Sequence, residues 1–234
     1  MHPAASQPRS GSNRAVASNV AIIADGNSRW AHTHGVPVHD GHEAGADTLK
    51  ARLRDAVEFG VQQLTVYSFS TENWSRPASE VRGLIAMLAR RIAQETPELH
   101  KQGVRMRFIG RRTGTPDELL EQMQSAEVLT ADNTRLGLFV AFNYGGRAEI
   151  IDAAMRFAGG GEQEFRRCLY APEMHDPDLI IRTGGEKRLS NYLLWQGAYS
   201  ELVFRNELWP DFSRQAFADS LAEFSKRRRR YGRR

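Results

Sequence analysis

The chain has 234 residues, 41% of them hydrophobic, with 32 lysines and arginines against 28 aspartates and glutamates. That is enough sequence for one large buried core; the single cysteine, Cys168, excludes an internal disulfide and a cysteine-based zinc site, and no apolar run approaches the ~20 residues that span a bilayer. Seven of the basic residues fall among the last nine positions, leaving 25 basic against 28 acidic in the body, so a folded nucleic-acid-binding face is not expected; the single cysteine fits a reducing, cytoplasmic setting.

Residues 1–18 are rich in Ser, Pro, Gly and Arg and lack the apolar segment of a secretory signal, so they read as a disordered arm. Residues 20–24 form an apolar run that predicts a buried strand, and Asp25-Gly26-Asn27-Ser28-Arg29-Trp30 leaves its end. Residues 43–59 predict a helix, with Leu49, Leu53 and Val57 spaced by four and Gly60 closing it. A strand follows at 63–69, then a helix at 79–94 with Val81, Leu84, Ile85, Leu88 and Ile92 on one face. Next come a strand at 104–109, a helix at 116–129 opened by Pro116, a strand at 136–142 and a helix at 147–157 broken by Gly159-Gly160-Gly161. A short strand at 178–181, a helix at 190–198 and a last helix at 213–228 complete the order, and 226–234 form a basic tail. The alternation predicts a single α/β domain over 19–225, a mostly parallel sheet flanked by helices.

Polar clusters fall at the predicted strand ends. Asp25 follows the first strand; Ser70, Asn73, Trp74 and Arg76 the second; Asn143, Gly145, Gly146 and Arg147 the strand at 136–142; and Arg182, Gly184, Gly185, Glu186 and Arg188 the strand at 178–181. A parallel sheet brings all four to the edge where ligands bind. Arg29, Arg76, Arg182 and Arg188 suit bidentate phosphate binding, and Gly184-Gly185 lets backbone N–H groups approach an anion. Asp25 and Glu201 are the candidate metal ligands; with phosphate oxygens and water they suit Mg²⁺. Taken singly, each arginine reads as a surface ion pair, His42 as structural, and Trp30 and Trp74 as either rim aromatics or ligand contacts. His32, His34 and His39 lack a matching metal-ligand set. The glycine-rich nucleotide loops and the Gly-x-Ser-x-Gly elbow are missing, which argues against the common nucleotide enzymes and serine hydrolases.

These motifs resemble those of the cis-prenyltransferases. The resemblance rests on Ala24 through Trp30, on Gly41-His42-x-Ala44-Gly45, and on Tyr67 through Trp74 with Arg76-Pro77. It continues in Asn143-Tyr144-Gly145-Gly146-Arg147, Pro177 through Glu186, Arg188-Leu189-Ser190-Asn191, Leu193 through Glu201 and Leu208-Trp209-Pro210-Asp211-Phe212, and covers residues 19–232. It implies a homodimeric α/β fold with a hydrophobic tunnel, and Mg²⁺-dependent condensation of dimethylallyl or a longer allylic diphosphate with isopentenyl diphosphate. By that resemblance Asp25 is essential and binds Mg²⁺ with Glu201, while Gly26, Asn27, Ser28, Arg29, Trp30 and His42 surround the allylic diphosphate. Asn73 with Ser70 assists proton removal; Arg182, Arg188, Leu189 and Ser190 hold the second diphosphate; Thr71, Glu72, Trp74 and Arg76 flank the reacting centre. Arg230 and Gly232 resemble an Arg-x-Gly motif that reaches the partner subunit's site.

The chain departs from the family pattern where Ala24, Ser28, Val38, Ser68 and Gly184 stand for the usual Met, Gly, Arg, Ala and Ser, and the segment 159–170 is shorter than usual. Three of these changes touch diphosphate pockets. They point to a short-chain enzyme that couples two allylic diphosphates head to middle, with or without cyclisation; a regular head-to-tail synthase using isopentenyl diphosphate is the alternative. A non-catalytic partner subunit is disfavoured because Asp25, Asn73, Arg182 and Glu201 are kept, and RNA binding through the basic tail is disfavoured further.

Overall fold

The architecture is that of a computed structural model describing residues 16–227. In chain order the elements are β1 (Asn19–Ile23), α1 (Asn27–His34), α2 (Val38–Glu58), β2 (Gln63–Ser70), a 3₁₀ turn (Thr71–Ser75), α3 (Ala78–Lys101), β3 (Val104–Ile109) and α4 (Asp117–Leu129). Then follow β4 (Leu136–Tyr144), α5 (Gly146–Arg156), α6 (Glu162–Arg166), β5 (Leu179–Arg182), β6 (Glu201–Phe204), a 3₁₀ turn (Trp209–Asp211) and α7 (Arg214–Lys226). The six strands form one sheet in the order β3-β4-β2-β1-β5-β6, every pair parallel. The connection after β1 runs to β2 on one side and the connection after β5 to β6 on the other, so a switch point, where such sheets bind ligands, lies between the carboxyl ends of β1 and β5.

Both faces are covered, as strict alternation along β1 shows. Val20 and Ile22 join the larger core, with Leu53, Ile92 and Phe217 from the helices; Ala21 and Ile23 join a second core with Met174, Tyr192 and Leu193. β2 breaks its alternation at a bulge: Tyr67 pairs with Ala141 and Phe69 with Phe142, leaving Ser68 unpaired. The bulge puts Phe69 in the same core as Val66.

Several expectations need correction. The predicted arm reaches too far: Ala17 is fully buried and the Ser18 carbonyl accepts from Gln62 N and Gln63 N. The segment 27–34, given no element in the sequence, is helical; α1 is short and buries only Ala31, so it carries no repeating apolar signal. The helix predicted at 43–59 begins at Val38, its first turns disguised by Gly41 and Gly45. These glycines are required by packing, since a Cβ on either would collide with Asn27 of α1. Residues 190–198 are not a helix: Ser190, Asn191 and Leu193 take φ of 48°, 63° and 42°, a left-handed backbone that cannot continue a right-handed helix. β6 escaped notice because a four-residue edge strand is only partly buried.

Candidate active site

A cavity of about 530 Å³ opens at the carboxyl ends of the strands and descends between the sheet, α2 and α3. Its wall reaches from Ser70, which pairs with Tyr144, to Leu138, which pairs with Leu64. Six residues of β2 separate those levels, about 20 Å at ~3.3 Å per residue. Polar groups gather at the mouth: Asp25, Asn27, Arg29, His42, Asn73, Arg76, Arg182 and Arg188. Below them the wall is largely apolar, with Leu49 and Leu53 of α2, Leu84, Met87, Leu88 and Ile92 of α3, and Val66, Phe108, Val140 and Phe142 of the sheet.

Asp25 is held by its backbone. Its N–H donates to Thr183 Oγ1 at 3.0 Å, its carbonyl accepts from the same hydroxyl at 2.8 Å, and Trp209 N donates to that carbonyl at 3.0 Å. Its carboxylate takes Arg182 Nη2 on Oδ2 at 2.8 Å and Arg29 Nη2 on Oδ1 at 3.3 Å. Arg182 is buried and also donates through Nη1 to Ser190 Oγ and the Arg188 carbonyl. Gly26, at φ 117°, turns the chain into α1, whose amino end has no side-chain cap; its first N–H groups are therefore open to an anion.

His42, from the first turns of α2, sits beside them. The Asn27 amide nitrogen donates to His42 Nδ1 at 3.5 Å, which leaves the ring proton on Nε2. Burial, followed by Arg76, lowers its pKa from 6.5 to about 4, so the ring is neutral near pH 7. Among the described residues, His42 Nε2 and Arg182 Nε are buried donors with no partner, and Asn27 Oδ1 is likewise unpaired. Orphaned buried polar atoms are costly, and an anion would satisfy both donors. Asn73 Oδ1 accepts from Ser70 N at 2.9 Å, and its Nδ2 has no partner among the described residues.

Gly26, Asn27, Ser28, Arg29, His42, Ser70, Asn73, Arg76, Arg182, Arg188 and Ser190 therefore share one cavity wall with Asp25. Other expected site residues lie outside that wall. Trp30 donates to Asp211 Oδ1 at 2.8 Å and stacks on His34. Trp74 donates to Asn143 Oδ1 at 2.8 Å and meets Phe69 edge-on. Thr71 donates to Glu72, Glu72 accepts from Asn191 Nδ2 at 2.8 Å, and Leu189 packs against the second core. The cluster at Asn143, Gly145, Gly146 and Arg147 reaches the expected edge but serves packing: a Cβ at Gly145 would meet Asn191 and Thr71, and one at Gly146 would meet Leu194. Arg230 and Gly232 lie outside the described residues.

Glu201 is not brought to Asp25 within the chain. It opens β6 level with Leu179 and hence with Val20, at the amino end of the sheet, and Arg227 donates to its carboxylate at 2.9 Å. Residues missed in the sequence include Thr183, whose position inside a motif gave no sign of its grip on Asp25. Tyr67 was missed as well: it lines the cavity and stacks on Tyr192 with centroids 4.5 Å apart. Lys50, Arg91 and Glu95 also line the wall, where α2 meets α3. Of the apolar face predicted on the helix at 79–94, Leu84, Leu88 and Ile92 line the cavity while Val81 and Ile85 pack in the core.

A family model described as "Putative undecaprenyl diphosphate synthase" matches residues 23–232. The chain belongs to the undecaprenyl diphosphate synthase, or cis-prenyltransferase, family. It is 46% identical over 226 residues to an isoprenyl transferase of Thermotoga maritima, covering 93% of this chain and 97% of that protein. It is also 46% identical over 228 residues to the (2E,6E)-farnesyl-diphosphate-specific ditrans,polycis-undecaprenyl-diphosphate synthase of Pseudomonas aeruginosa, covering 93% and 91%. Among solved structures, the lavandulyl diphosphate synthase of Lavandula x intermedia, in complex with dimethylallyl diphosphate, superposes with a TM-score of 0.90 at 32% identity, covering 93% of this chain and 98% of that one. This cis-prenyltransferase is thus an enzyme that transfers prenyl groups, and no helix among its described residues is long and apolar enough to cross a membrane.

Proposed function

We propose that this cis-prenyltransferase is a regular head-to-tail synthase, joining an allylic diphosphate to isopentenyl diphosphate and feeding the growing chain into the shaft below. The segregation along one cavity carries the reading: an arginine-rich mouth above an apolar shaft about 20 Å deep at ~3.3 Å per strand residue. At roughly 1.2 Å of advance per bond of an extended chain, that depth takes about four isoprene units. Each buried CH₂ contributes about 0.8 kcal/mol, so the shaft favours a product longer than the ten carbons of two coupled dimethylallyl groups.

The residues present also suit Mg²⁺. No group of three His, Cys, Asp or Glu arranged to hold a metal ion occurs among the described residues. Asp25 would hold the ion with diphosphate oxygens and water, the coordination Mg²⁺ favours, and within one protomer Glu201 would not share it. When bound, Mg²⁺ would neutralise charge on the departing diphosphate. The open N–H groups of α1, His42 Nε2–H and Arg29 orient the allylic diphosphate. Arg182, Arg188 and Ser190 orient the second one, so that the C–O bond breaks with its electron pair leaving on diphosphate oxygen. The isopentenyl double bond then attacks the allylic carbon, and the cation left on isopentenyl loses a proton from its neighbouring carbon to an oxygen of the released diphosphate, beside the Asn73–Ser70 corner. A second copy completes a homodimer, and a cytoplasmic setting accords with the single free cysteine.

Irregular coupling is the second reading. Ser28 and Gly184 both lie at the Asp25 mouth, and the lavandulyl diphosphate synthase shares the fold closely. Product analysis with Mg²⁺ decides. Regular synthesis predicts no product from dimethylallyl diphosphate alone and a linear cis-prenyl diphosphate once isopentenyl diphosphate is added. A branched or cyclic ten-carbon product from dimethylallyl diphosphate alone would establish the irregular reading instead. Asp25→Ala should abolish either activity, a loss of at least about 10²-fold for a site whose catalysis is electrostatic.

A further inference from the structure

Each oxygen of the Asp25 carboxylate takes one guanidinium group, and the two differ in character. Arg182 is 5% exposed and fixed by Ser190 and Arg188. Arg29 leaves 48% of its side chain exposed, reaches Asp25 Oδ1 at 3.3 Å, and has one further anchor among the described residues, the Gly184 carbonyl at 2.7 Å. Gly184 makes that seat. Its φ of 83° is one that side chains adopt under strain, and a Cβ there would collide with Arg29 Nη2. The loop is pinned by Gly184 N donating to Glu207 O at 2.7 Å and Gly185 N to Arg205 O at 2.8 Å. A rigid backbone with no side chain thus keeps a place for a mobile cation against one oxygen of Asp25.

We propose that Arg29 is the resting counter-cation of Asp25, a positioning residue that holds divalent cations off Oδ1 until a diphosphate draws the guanidinium away. The proposal rests on the reading of Asp25 as the metal-binding carboxylate. Guanidinium and divalent cation compete for one oxygen. A diphosphate offers Arg29 a bidentate partner, stronger than its single long bond to Asp25, and its departure frees Oδ1 as the diphosphate oxygens arrive. Cation and diphosphate then bind with positive coupling, and linkage makes that coupling reciprocal.

The test uses Mn²⁺ alone, followed by the paramagnetic resonance signal of the free ion, with the full-length wild type and four variants. Arg29→Met should bind Mn²⁺ about threefold to fivefold more tightly than wild type, the range for a half-exposed ion pair. Arg76→Met removes a mouth arginine that pairs with Glu80 rather than Asp25, and should shift Mn²⁺ binding less. Gly184→Ala keeps the charge of Arg29 but removes its seat, and should tighten Mn²⁺ as Arg29→Met does. A gain in Arg29→Met no larger than in Arg76→Met, or none in Gly184→Ala with an intact melting transition, overturns the proposal and leaves the synthase reading standing. Unchanged Mn²⁺ binding in Asp25→Asn overturns the metal assignment beneath it, and the proposal with it.

Discussion

His42 turns burial into a pH dependence. Its folded pKa of about 4 lies below the unfolded 6.5, so the unfolded chain takes up a proton first as pH falls. The stability linked to this group is complete above pH 6.5 and is lost progressively towards pH 4, by up to about 3 kcal/mol. Urea unfolding should therefore show wild type losing more stability than His42→Gln between pH 7 and 4.5; equal losses would refute the assignment. Inorganic diphosphate should raise the His42 pKa, visible in its ring proton resonances, because the anion favours the charged ring. Thr183 works at the same scale without touching a substrate: fully buried, it closes two hydrogen bonds on the Asp25 backbone and so fixes where the carboxylate stands.

The α1–α2 pair decides whether the mouth exists. α1 is too short to be stable alone, and it is positioned by packing against the glycine face of α2. Gly41 faces the Asn27 carbonyl and Gly45 the Asn27 side chain, each too close to admit a Cβ. Gly41→Ala should cost about 1–3 kcal/mol through overpacking and displace Asn27 from the cavity wall, with a lowered Tm as the measure. Gly83, within α3, has open space around its Cβ position. Gly83→Ala should stabilise the protein by about 0.4–1 kcal/mol. The opposite signs of two identical substitutions separate packing from helix propensity.

At the scale of the whole molecule, the sheet carries different duties on its two faces. One face holds the shaft between the strands and the helices α2 and α3; the other is closed by the second core with Tyr144, Tyr192 and Leu193. On α5, Ile151 and Met155 stand one turn apart and are 57% and 82% exposed, an apolar stripe suited to the second copy of a homodimer. Sedimentation should give about twice the 26.4 kDa chain mass for wild type and a shift towards monomer for Met155→Glu. A monomeric wild type would rule the homodimer out.

The α/β class, the parallel sheet, the strand-end clusters and the arginine-rich mouth with Asp25 follow from local pattern. Strands buried on both faces leave continuous apolar runs, and their polar residues collect at the ends, so order along the chain alone places Asp25, Asn73 and Arg182 at one edge. Three features needed the tertiary structure, because each depends on close approach between distant segments. Glycines 145 and 146 stood in a cluster expected at the ligand-binding edge until their contacts with Thr71, Asn191 and Leu194 showed a packing role. The stretch 190–198 has helical composition, but Ser190, Asn191 and Leu193 are left-handed, and Ser190 Oγ accepts from the distant Arg182. Glu201 has the right chemistry for a metal ligand, yet the register β1–β5–β6 sets it at the opposite end of the sheet from Asp25. Sequence determined which chemistry the chain carries; the sheet's register and the gaps left by glycine decided which of those residues meet.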